Sequence, residues 1–130
     1  MILVDTSVWI EVLRDASKRS VLERALAGSD VALSRFTQME LLQGCRDEGE
    51  WQMLDSHLEG QEYLEMSERS WSLAARVYFD LRRTGKTVRS PIDCCIAQLA
   101  LENDIVLLHK DRDFGTIASI RPLQQRHLEL

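Results

Sequence analysis

The 130-residue sequence lacks long apolar runs: the uninterrupted ones are about four residues, such as Met1 to Val4. A membrane-crossing helix requires roughly 18, so none is expected. A secretory opening is lacking too, because Asp5 interrupts the first apolar stretch and no Lys or Arg precedes it; export by that route is not expected. Cysteine is scarce. Cys45, Cys94 and Cys95 cannot all pair within the chain, and the adjacent two form neither a CxxC motif nor a disulfide framework, which makes a reducing cytoplasm the expected setting. The only prolines are Pro91 and Pro122, and no repeat or low-complexity stretch is present. Nothing therefore marks a linker, and residues 1–130 read as one domain. An excess of basic residues is also missing. Asp and Glu number 21 against 16 Lys plus Arg, for a net charge of −5, so the overall charge does not advertise nucleic-acid binding.

What the sequence does hold is an ordinary globular balance, 45% apolar and 28% charged, enough to bury a core. Ile2-Leu3-Val4 and Ile105 to Leu108 are apolar without alternation, as strands covered on both faces are. Shorter strand candidates are Val31 to Leu33, Tyr63 to Met66, and a segment near Ile120. Helical spacing lies between them: Val8, Trp9, Val12 and Leu13; Val21, Leu22, Ala25 and Leu26; Phe36, Met39 and Leu42 after a Ser34 cap. A longer stripe runs through Trp71, Ala74, Ala75, Tyr78 and Leu81, from a cap at Ser67 to an end near Gly85. Ile92, Cys95, Ile96 and Leu99 mark another helix, opened by Ser90 at the N-cap and Pro91 at the first helical position. Strands alternating with helices predict an α/β three-layer sandwich around a short, mostly parallel central sheet.

Five carboxylates then stand out by position, although each has an innocent reading. Asp5 follows the first strand and could cap the next helix. Glu40 borders the apolar arc of its helix and could lie at the rim. Asp93 stands three residues after Ser90, the spacing of a capping box, and Asp111 or Asp113 could cap a short helix after the Ile105 strand. Their joint placement adds something no single one does. In an open parallel sheet, strand C-termini and helix N-termini share one edge, and all five map to it. Like charges gathered there repel one another unless a cation joins them. Hard oxygen ligands without a His or Cys cluster point to Mg²⁺, with Mn²⁺ as the alternative.

The residues around these acids resemble those of a known family. The opening Met1-Ile-Leu-Val-Asp5-Thr6-Ser7-Val-Trp-Ile, the segment Met39-Glu40-Leu41-Leu42-Gln43-Gly44, the segment Pro91-Ile92-Asp93-Cys94-Cys95-Ile96-Ala97, and Leu107 to Phe114 resemble, in order, the four motifs of PIN-domain ribonucleases. The likeness is strongest to the VapC toxins of bacterial type II toxin–antitoxin pairs. The Cys94-Cys95 pair departs mildly from it, where small residues such as Ala are usual. The resemblance implies a PIN-like α/β/α fold and Mg²⁺-dependent hydrolysis of RNA. It carries over Asp5, Glu40, Asp93 and Asp111 as the acidic quartet, with Asp113 as a fifth member or the substitute for Asp111, and Thr6 as a supporting hydroxyl. It also implies an RNA substrate such as tRNA or rRNA, a homodimer, a VapB-type antitoxin that blocks the acidic groove, and higher toxin–antitoxin assembly.

RNA approaching such a site would meet the cations of Arg82 to Arg89, namely Arg82, Arg83, Lys86 and Arg89, which lead directly into Ser90; Arg112 and Lys110 flank the fourth motif. Cations ending a helix also suit its dipole, so solvated roles stand beside phosphate binding. His57 and His127 read as surface residues, whereas His109 ends an apolar strand and could approach the site. Trp9, Trp51 and Trp71 read as core or interface residues, and Cys94 and Cys95 as packed thiols. Two other readings remain: a PIN nuclease of RNA processing outside any toxin–antitoxin pair, and a receiver-like phospho-accepting module. The latter wants paired acids after the first strand, where Thr6-Ser7 stand instead. The five acids equal the whole negative excess, so the rest of the chain is formally neutral.

Overall fold

Residues 1–130 are described by a computed structural model. Ile2-Leu3-Val4 forms β1 (Ile2–Val4), a strand buried along its whole length. It sits at the centre of a five-stranded sheet with β2 (Val31–Ser34), β3 (Tyr63–Leu64), β4 (Val106–His109) and β5 (Gln125–His127). The order is β3-β2-β1-β4-β5, and every pairing is parallel. Val4 lies opposite Leu108, and the Asp5 N–H continues the ladder by donating to the Leu108 carbonyl at 2.9 Å.

Side-chain alternation along these strands builds the layers. Leu3, Ala32 and Leu107 point into the larger core, against α5 (Glu68–Arg83), α6 (Pro91–Asn103) and α7 (Asp113–Ala118). On the other face, Ile2, Val4 and Leu108 meet α1 (Thr6–Arg14) and α2 (Arg19–Leu26), and Leu33 meets α3 (Arg35–Gln43) and α4 (Glu48–Glu59). The result is the expected α/β/α sandwich. The chain steps from β1 outward through β2 and β3, then returns to the other side of β1 for β4 and β5. The direction of winding thus reverses between β1 and β4, and a crevice opens beyond the carboxyl ends of strands at such a point. Asp5 and Asp111 follow those two strands.

Three local readings change. The buried stripe of α5 is Ser70, Ala74, Val77 and Leu81, while Trp71 is turned outward, half exposed, with Phe36 edge-on to it at 6.1 Å. The last strand lies at Gln125–His127, beyond the segment near Ile120. Trp51 is exposed on α4 beside Met53 and outside the core, while Leu54 and Leu58 of the same helix pack into the cluster around Leu33. Gly85 does end α5, at φ +79, a left-handed conformation that suits glycine.

Candidate active site

Asp5 both caps α1 and enters the site. Its Oδ2 accepts the Ser7 N–H at 3.0 Å and the Ser7 hydroxyl at 2.6 Å. Ser7 Oγ in turn accepts the Lys110 N–H at 2.9 Å, tying the start of α1 to the loop after β4. Asp5 is buried, and desolvation raises its pKa against the opposing pull of the Ser7 bonds. Next to it, the Thr6 hydroxyl donates to Glu40 Oε1 at 2.9 Å and also lies 2.9 Å from Thr37 Oγ1. Ser34 caps α3 through the Thr37 N–H. Burial raises the Glu40 pKa, and the Asp5 charge adds to the effect.

Asp93 is held differently. The capping-box reading fails, because Ser90 Oγ accepts the Ile92 N–H and the Asp93 carboxylate accepts no hydrogen bond from the protein. Burial, with the charges of Asp111, Asp5 and Asp113 behind it, raises its pKa to about 7. One carboxylate oxygen from each of Asp93, Asp111 and Asp113 lies within 4.8 Å of the others. The two acids after β4 are fixed by local bonds. Asp111 Oδ1 accepts the Asp113 N–H at 3.0 Å, and the Asp111 N–H donates to His109 Nδ1 at 3.1 Å. With Nδ1 accepting, the His109 proton sits on Nε2 and is donated to Gln125 Oε1 at 2.6 Å; burial lowers the pKa and favours this neutral ring.

One cation approaches the cluster. Arg89 donates through Nη2 to Asp111 Oδ1 at 2.7 Å, and through both Nε and its backbone N–H to Asp113 Oδ2 at 3.1 Å. Arg82, Arg83 and Arg112 are exposed without a carboxylate partner, and Lys86 donates to Ser119 Oγ at 2.7 Å.

The structure therefore brings Asp93, Asp111 and Asp113 into one cluster, with Asp5 near enough for its charge to help raise the Asp93 pKa and for Asp111 to help raise its own. Glu40 stands beyond Asp5, bound to Thr6 instead of joining the three. The donor set is all carboxylate, and Asp93 lacks any hydrogen-bond donor, an arrangement that suits a hard divalent cation. Sequence reasoning missed Ser7 as the link between the halves, and missed that His109 and Arg89 hold Asp111. Each left a positional signal: Ser7 two residues after Asp5, His109 at the end of an apolar strand, and Arg89 directly before Ser90.

Comparison with known proteins bears on the fold and on descent. The PIN domain profile matches residues 2–120. Ribonuclease VapC11 of Mycobacterium tuberculosis is 36% identical over 129 residues, covering 95% of this chain and 96% of that protein. Among solved structures, VapBC-1 from nontypeable Haemophilus influenzae superposes with a TM-score of 0.80 at 20% identity, over 98% of each chain. A toxin–antitoxin complex from Klebsiella pneumoniae superposes at 0.74 and 18% identity, over 99% of this chain and 98% of that one. Those two likenesses speak for the fold, and the profile and the VapC relative speak for descent: the chain belongs to the PIN-domain family, related over nearly its whole length to VapC ribonucleases.

Proposed function

We propose that the chain is a Mg²⁺-dependent endoribonuclease, Mn²⁺ being the alternative ion. It acts as the toxin of a type II, VapBC-type pair, cutting tRNA or rRNA and so inhibiting translation and growth. The observation that carries this reading is Asp93: a carboxylate without a hydrogen-bond donor, within 4.8 Å of two others at the edge where the sheet reverses direction.

Asp93, Asp111 and Asp113, with Asp5 beside them, would hold the ion. When bound, it supplies a neutralising charge for the phosphate and lowers the pKa of the attacking water. Glu40 Oε1 accepts the Thr6 hydroxyl, and either its free Oε2 or the spare oxygen of Asp111 would accept a proton in the reaction. Thr6 and Ser7 set the directions of Glu40 and Asp5. The exposed cations Arg82, Arg83, Lys86 and Arg112 would contact backbone phosphates on either side of the cut.

A VapB-type antitoxin as partner, a homodimer with higher toxin–antitoxin assembly, and a cytoplasmic location complete the reading. The apolar surface supports a partner chain. A groove of about 380 Å³ between α1, α2, α3 and α4 is lined by Trp9, Val12, Leu22, Leu41, Leu54 and Leu58, and Trp9 Nε1 is buried without an acceptor. Leu13, Trp51 and Met53 are exposed on the same layer. No helix is long and apolar enough to cross a membrane. Expression of the chain alone is the test: growth arrest with RNA cleavage, both lost in Asp93→Asn, is expected. Equal arrest by Asp93→Asn would sink the proposal, and cleavage without arrest would favour an RNA-processing nuclease.

A further inference from the structure

We infer that Arg89 is a positioning residue for the metal ligands, orienting Asp111 and Asp113 from outside the site so that one oxygen of each is left for the ion. The inference rests on the divalent-metal reading and deepens it. The guanidinium divides its donors between two carboxylates: Nη2 to Asp111 Oδ1 at 2.7 Å and Nε to Asp113 Oδ2 at 3.1 Å. Both accepting oxygens have a second, backbone donor. Asp111 Oδ1 also takes the Asp113 N–H, and Asp113 Oδ2 also takes the Arg89 N–H. Asp111 Oδ2 and Asp113 Oδ1 accept nothing from the protein, so each carboxylate has one oxygen anchored and one spare.

The side chain of Arg89 is 70% exposed, whereas those of Asp111 and Asp113 are 17% and 9% exposed. It therefore reaches the pair from the solvent side, and no hydrogen bond joins it to Asp93. A planar guanidinium fits this task because its donors have fixed directions and can serve two carboxylates at once, whereas an ammonium is a single point of charge. Partners that orient ligands from behind typically account for 10- to 100-fold in metal affinity.

Two models predict opposite signs. If Arg89 positions, removing it weakens the ion; if it is only a stand-in cation for an empty cluster, removing it relieves competition and tightens the ion. The test is Mn²⁺ binding by calorimetry to the metal-free full chain, on wild type, Arg89→Ala and Arg89→Lys, with thermal unfolding in chelator to confirm that each folds. The backbone N–H to Asp113 survives both substitutions, which isolates the guanidinium. We expect Arg89→Ala to bind Mn²⁺ about 10- to 100-fold more weakly, and Arg89→Lys, which keeps the charge, to recover only part of the loss. Equal or tighter binding by Arg89→Ala, or full rescue by Arg89→Lys, would overturn the positioning role while leaving the metal reading intact. No Mn²⁺ binding by folded wild type would overturn both.

Discussion

The two halves of the site hold their carboxylates by different means. On the α1–α3 side, Asp5 and Glu40 are supported by neutral hydroxyls: Ser7 on Asp5, Thr6 on Glu40, and Thr37 beside Thr6. On the α6–β4 side, Asp111 and Asp113 are supported by backbone N–H groups and the Arg89 guanidinium, and Asp93 by nothing. Hydroxyl donors fix a direction while adding no net charge. The first half thus holds its two carboxylates in fixed directions, and the second crowds three within 4.8 Å of one another, with one guanidinium shared by two of them and no donor on Asp93. That is where a cation is worth most, because several like charges share a partly desolvated space.

The sharpest way to break this comparison is to disable the hydroxyl half. Ser7 Oγ both donates to Asp5 and accepts the Lys110 N–H, so Ser7→Ala leaves two partly buried groups short of a partner. Stability in denaturant is expected to fall by about 1–3 kcal/mol. An unchanged midpoint would mean that the hydroxyl does not join the halves.

A smaller effect probes the charged half. The Asp93 pKa is raised to about 7 in the metal-free fold, whereas in the unfolded chain it lies near 3.9. Between those values the folded state holds a proton that the unfolded state has lost. Metal-free stability should therefore decline as pH rises from about 4 to 7 and level off above. Asp93→Asn should flatten that slope and unfold later than wild type at pH 8 in chelator, read by thermal melts. A Mn²⁺ affinity that strengthens up to about pH 7 follows from the same proton. A melting temperature of the variant below that of wild type at pH 8 would show that Asp93 is not a strained carboxylate.

Much of this was legible in the sequence, for identifiable reasons. The apolar triplet of β1 and the quartet around β4 follow from burial on both faces. Parallel topology alone then puts Asp5, Asp93 and Asp111 on one edge, with Ser90 and Pro91 marking the start of α6. What stayed hidden depends on contacts distant in sequence or on geometry finer than spacing. Ser7 meets Lys110 across 103 positions. The Ser90–Asp93 spacing fits a capping box, yet Ser90 turns to the Ile92 N–H and leaves Asp93 to the site. Arg89 looked like one more phosphate-binding cation, but its guanidinium is committed to two carboxylates. In α5, Ser70 forms the capping box with Ser67 and takes the inward position, which rotates Trp71 out of the core.

The central claim is that these carboxylates cut RNA by way of a divalent ion, and chelation with add-back tests it most directly. Purified wild type and Asp93→Asn are incubated with RNA in EDTA, and then with excess Mg²⁺ or Mn²⁺. Cleavage by wild type should be absent in EDTA and restored by the ion. With the ion restored, Asp93→Asn should remain at least about a hundredfold slower than wild type, since several kcal/mol of transition-state stabilisation depend on the ion. Cleavage that persists in EDTA and survives Asp93→Asn would contradict the account.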